Sequence, residues 1–111
     1  MKKHPQKKWM KLAIRSAREG IEKSAGGPFG VVIVRGGRRI TVTHNTVLKK
    51  NDATCHAEVN AIRLASRKLK RFDLSDCVIY STTEPCPMCF SAIHGARIPK
   101  VIFGPCPKFC F

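Results

Sequence analysis

The sequence predicts one α/β domain, a three-layer α/β/α sandwich with a mixed central sheet, and three observations predict it. Apolar residues recur at helical spacing early in the chain, short β-branched runs alternate with helical segments after that, and strands separated by helices need helices packed on both faces of a sheet. With 111 residues, 43% of them hydrophobic, the chain can bury a core without covalent staples. Residues 1–111 are therefore read as a single domain, with 105–111 an atypical tail.

Taken in order, Met10, Ala13, Ile14, Ala17 and Ile21 lie at helical spacing between Lys11, Arg15, Arg18 and Glu22, which predicts an amphipathic first helix over 9–21. Gly26, Gly27 and Pro28 break it and lead into a β-branched strand over 29–34, closed by the hairpin signal Gly36-Gly37. Ile40, Val42 and His44 alternate with polar residues, as in a strand returning on the first. Residues 45–54 read as a polar loop. From His56 onward, Val59, Ile62, Ala65 and Leu69 mark a second helix that ends in the basic stretch 67–71. Residues 77–82 form a third strand, Pro87 opens a third helix with Met88, Ala92 and Ile93 on its apolar face, and 101–103 make a fourth strand. Neither an internal repeat nor a linker stands out.

The longest purely apolar run, 31–34, is far short of the roughly 20 residues that cross a bilayer, so no membrane partner is expected. The basic start Met1-Lys2-Lys3-His4 is followed by polar and charged residues, where an export signal would place an apolar stretch. Six cysteines could make three disulfides, but two of them form Cys86-Pro87-Met88-Cys89, and the expectation is a reduced, cytoplasmic protein with a metal site. The 21 Lys and Arg against 7 Asp and Glu give a formal charge of +14, a field that attracts phosphates and RNA. Those cations are dispersed along the chain, so a diffuse solvated surface and a nucleic-acid footprint both remain open.

The chemistry gathers at two helix starts. Cys86 and Cys89, three residues apart, can turn both sulfurs to one side of a first turn whose free N–H groups favour thiolates. A CxxC alone also fits a redox dithiol. His56-Ala57-Glu58 stands at the start of the preceding helix, and together the two segments match the His-x-Glu and Pro-Cys-x-x-Cys signature of zinc deaminases. Three protein ligands, His56, Cys86 and Cys89, leave a tetrahedral Zn2+ one open position, as a catalytic site requires. Cys106 and Cys110 could instead complete a closed structural site, and Cys55 adjoins His56 but is turned away by the shift of one residue. Zinc makes water nucleophilic near neutral pH, and Glu58, two residues from His56, is placed to move a proton to a ring nitrogen and then to a departing amine.

Segments 26–30, 51–63 and 84–89 resemble the cytidine and deoxycytidylate deaminase superfamily, in the branch whose first zinc ligand is histidine, and the resemblance runs over about 9–104. They are similar to guanine deaminases and nearly as similar to tRNA adenosine deaminases. The resemblance implies a cytidine deaminase-like fold, C-terminally short, and hydrolytic deamination of a nucleobase, guanine or a related base, with tRNA adenosine editing as the alternative. It also implies base contacts from Asn45, in the loop before the zinc-ligand helix, from Phe29, and from backbone near Ala57 and Cys86. The pattern departs after Gly104: relatives continue into another strand and terminal helices that close the base pocket, and guanine deaminases take an acidic base-binding residue from there, whereas no acidic residue follows Glu84. An inactive zinc-binding remnant is thus a third expectation. Phe103, Phe109 and Phe111 point to self-association as a homodimer.

Overall fold

A computed structural model describes residues 5–104; the tail with Cys106, Cys110, Phe109 and Phe111, and the basic start, lie outside the described residues. The first helix, α1, spans Pro5–Glu22 and buries Trp9, Ala13, Ser16 and Ala17. Ile14 and Ile21, expected on that face, are 41% and 51% exposed. The buried stripe is narrower than the apolar pattern because α1 lies very close to the sheet: a side chain on Gly30 would run into the Ala13 carbonyl and the Ala17 nitrogen. Small residues make that approach possible.

Strand β1, Gly30–Arg35, is buried from Gly30 to Val34, which its run of β-branched residues anticipates. Period-two alternation divides it between two cores. Val32 and Val34 join Trp9, Ala13 and Tyr80 beneath α1. Val31 and Ile33 join Ala57, Ala61, Leu74, Ile79 and Ile93 on the opposite face. Gly36 and Gly37, at φ 55° and 79°, turn the chain into β2, Arg38–His44, which pairs antiparallel with β1 across a register shift at Ile33/Val34.

The stretch expected to be a loop holds a short helix, α2, Val47–Lys50, ended by Asn51 in the left-handed conformation. Asn45 starts it, since its Oδ1 accepts the Val47 N–H at 3.0 Å. Helix α3, Ala57–Leu69, buries Ala57, Ala61 and Ala65; of the expected apolar positions, Ile62 and Leu69 pack at the margin of this core. Strand β3, Cys77–Ser81, runs antiparallel to β1, and helix α4, Pro87–Gly95, leads to β4, Lys100–Phe103, parallel to β3. The sheet order is β2-β1-β3-β4. With α1 on one face and α3 and α4 on the other, the mixed sheet forms the expected α/β sandwich. No described helix is long and apolar enough to cross a membrane.

Candidate metal centre

Two helix starts meet at one end of the sheet. His56 caps α3 and Cys86 caps α4, both with extended backbone, and Pro87 occupies the first turn of α4 where a missing N–H costs nothing. Cys86 Sγ lies 3.6 Å and Cys89 Sγ 3.5 Å from His56 Nδ1, and all three donor atoms fall within 4.8 Å of one another. A tetrahedral zinc with Zn–S of about 2.3 Å and Zn–N of about 2.0 Å would hold sulfur and nitrogen about 3.5 Å apart. The donors present therefore fit zinc in both kind and spacing. Burial, followed by the neighbouring Glu58 carboxylate, pushes the Cys89 thiol up, so its thiolate depends on a nearby cation. Cys55 is buried with its Sγ 3.9 Å from Arg63 Nη1 and does not join the triad.

Glu58, in the first turn of α3, is only 5% exposed, and its Oε2 accepts the Ser81 hydroxyl at 3.5 Å. It opens into a cleft of about 250 Å3 lined by Phe29, Asn45, His56, Glu58, Thr83, Glu84 and Cys86. The sequence-derived residues Phe29, Asn45, Glu58, His56 and Cys86 thus share one cavity, and Cys89 completes the metal triad behind it, fully buried. Ala57 differs: its side chain packs in the core and its carbonyl accepts the Thr43 hydroxyl at 2.8 Å, so only its backbone is near the helix start. A larger concavity of about 710 Å3 lies beside β2 but holds none of the triad, so donor chemistry, not size, locates the site.

Sequence reasoning missed four supporting residues. Thr83 and Glu84 line the cleft, and Ser81, 1% exposed, orients Glu58. Asn60 Nδ2 reaches the His44 carbonyl, Thr46 Oγ1 and the Cys55 carbonyl at 3.0, 2.9 and 3.3 Å, tying the segment between Asn45 and His56 to α3. Only the position of Asn60 on the helix, one turn beyond His56, hinted at this.

Residues 3–105 match the family described as the cytidine and deoxycytidylate deaminase zinc-binding region. The chain is similar to guanine deaminase of Bacillus subtilis, 48% identical over 86% of this chain and 60% of that one. It is also similar to the tRNA-specific adenosine deaminase of Aquifex aeolicus, 42% identical over 90% of this chain and 66% of the relative. The X-ray structure of the Bacillus subtilis guanine deaminase superposes with a TM-score of 0.87 at 44% identity, covering 93% of this chain and 64% of that one. The chain spans a little under two thirds of the length of these relatives.

Proposed function

The chain belongs to the cytidine and deoxycytidylate deaminase family, and from that premise we propose that it is a zinc-dependent hydrolytic deaminase of a nucleobase, guanine or a closely related base, releasing ammonia. The observation that carries the reading is the cleft itself, in which a buried carboxylate opens onto the same space as two of the three converging metal donors. When bound by His56, Cys86 and Cys89, zinc supplies Lewis-acid activation of water near neutral pH.

The chain's own groups do the rest. Glu58, contacted at Oε2 by the Ser81 hydroxyl, accepts one proton from the attacking water and passes it to a ring nitrogen, then takes the second proton from the hydroxyl now on the ring carbon and passes it to the amine, so that the C–N bond breaks and neutral ammonia departs. Asn45 spends its Oδ1 on the Val47 N–H, which leaves its Nδ2 to donate to an acceptor on the base edge. Phe29 forms an apolar wall of the cleft against the flat face of the ring. Cysteines left free to ligate a metal persist most readily in reducing surroundings, so the proposal includes a cytoplasmic location, and exposed Phe90 and Phe103, 60% and 49% accessible, support a homodimer.

A second reading, adenosine-to-inosine editing of tRNA, is favoured by the +14 charge and by the 42% identity to a tRNA-specific adenosine deaminase. Ammonia release from the zinc-loaded protein, measured with guanine, cytosine, cytidine, deoxycytidylate and tRNA anticodon stem-loops, tests both. Turnover of guanine above the others supports the first reading. Turnover of an anticodon stem-loop alone would replace it with the second, and no release from any substrate would refute both.

A further inference from the structure

The positive charge is unevenly disposed on the fold. A concavity of about 690 Å3 is lined by Lys8, Trp9, Lys11, Leu12, Arg15 and Arg39. Lys8, Lys11 and Arg15 follow one another at helical spacing along one face of α1, and Arg39 reaches the same space from β2. All four cations are exposed, and none of the chain's seven acidic residues lines the concavity. Among the described residues, Asp76 pairs with Arg35 and Arg71, so the carboxylate beside the end of β1 is already engaged. Four unneutralised cations around one hollow attract an anion.

We infer that this concavity is a docking surface for the phosphodiester backbone of a nucleic acid, separate from the metal centre. Val34, the β1 partner of Arg39, lies five residues beyond Phe29, which places the patch about 16 Å along the strand from the cleft. From Lys8 to Arg15 the row extends about 10 Å along the helix axis, so it suits successive phosphates of a chain better than one isolated phosphate. Recognition is by charge alone. Trp9 is only 7% exposed and the Lys8 ammonium sits 4.7 Å from its ring centroid, so the indole offers no face on which a base can stack. The surface therefore binds without sequence preference, and it does so whether or not the cleft deaminates a free base.

The test is fluorescence anisotropy with labelled 20-nucleotide U and dT homopolymers and the full chain, between low and moderate salt. Neutralising about four phosphates gives a slope of log affinity against log salt near −3 for a single strand. Reversal of Lys8, Lys11 and Arg15 to Glu is compared with reversal of exposed Lys49, Lys50 and Arg67 to Glu. Each reversal removes two charges, so both triples take the net charge from +14 to +8. The α1 triple is expected to lose at least tenfold more affinity than the control triple and to flatten the slope toward −1, while both homopolymers bind within a few fold of each other. Arg39→Ala, on a different element, should weaken both homopolymers alike and so checks the surface if the α1 triple misfolds. Equal losses in the two triples, no effect of Arg39→Ala, tight binding of one sequence only, or no binding by the unaltered chain would each overturn the inference.

Discussion

Replacing Asn60 should separate hydrogen bonding from packing at the segment that carries Asn45 and His56. The side chain has two N–H hydrogens facing three oxygens, at 3.0 Å from the His44 carbonyl, 2.9 Å from Thr46 Oγ1 and 3.3 Å from the Cys55 carbonyl. Asn60→Ala removes two bonds at about 1 kcal/mol each and leaves partly buried acceptors unmatched, a loss of about 2–3 kcal/mol. In a domain of this size that corresponds to a fall in Tm of about 8–12 °C. Asn60→Asp preserves shape but sets a carboxylate against two carbonyls that can only accept, with the Thr46 hydroxyl alone able to turn and donate to it, so at pH 7 it should also be destabilised. Protonation returns one donor for the two carbonyls and so favours the neutral carboxyl, and the penalty should therefore shrink as the pH falls. Thermal and urea unfolding of the zinc-loaded protein at pH 7 and pH 5, with hydrogen exchange of residues 44–55, reads all three effects. An aspartate variant as stable as the parent at pH 7, beside a destabilised alanine variant, would show that Asn60 acts through packing and refute the argument.

Two further perturbations follow from the same geometry. The Cys86→Ser, Cys89→Ser double variant should lose stoichiometric zinc, measured by metal analysis, together with the zinc-dependent rise in Tm, which is about 4 kcal/mol of stabilisation for the parent at a thousandfold excess over Kd; retention of one zinc per chain would remove these residues as ligands. His44, in contact with Ser16 at 3.2 Å, has its pKa lowered by burial and then by Lys23, with Glu19 acting in the opposite sense. Its folded pKa lies below the unfolded value, so its contribution is complete above about pH 6.5 and is lost as the pH falls toward the folded pKa. Urea unfolding from pH 5 to 7.5 should therefore steepen less with pH in His44→Gln than in the parent, and identical pH profiles would exclude His44 as the source.

The elements were legible because their periodicities are strong. The all-apolar run 31–34 announced a strand buried on both faces, and the glycine pair at 36–37 announced the hairpin. The breadth of α1's buried face was not legible, since Ile14 and Ile21 look as apolar as Ala13 and Ala17, and only the close approach over Gly30 selects the small residues. Helix α2 was hidden because one turn among polar residues has no period; Asn45, read for its place before His56, also starts that turn through Oδ1. The donor triad was readable because its members sit at helix starts with characteristic spacing. Ser81 and Asn60 were not, because their roles depend on contacts across 23 residues to Glu58 and up to 16 residues to His44, which local pattern does not encode.

Glu58→Gln tests the central claim most directly, since it preserves shape and removes the proton acceptor while leaving His56, Cys86 and Cys89 in place. Zinc content, thermal stability and ammonia release from guanine are measured on parent and variant side by side. The expected result is a folded variant with its zinc retained and turnover reduced by about 10²-fold to 10⁴-fold, the contribution of general acid–base catalysis. Loss of zinc along with activity would make Glu58 a structural or metal-binding residue, and undiminished turnover would mean that the proton travels by another route; either result would contradict the mechanism.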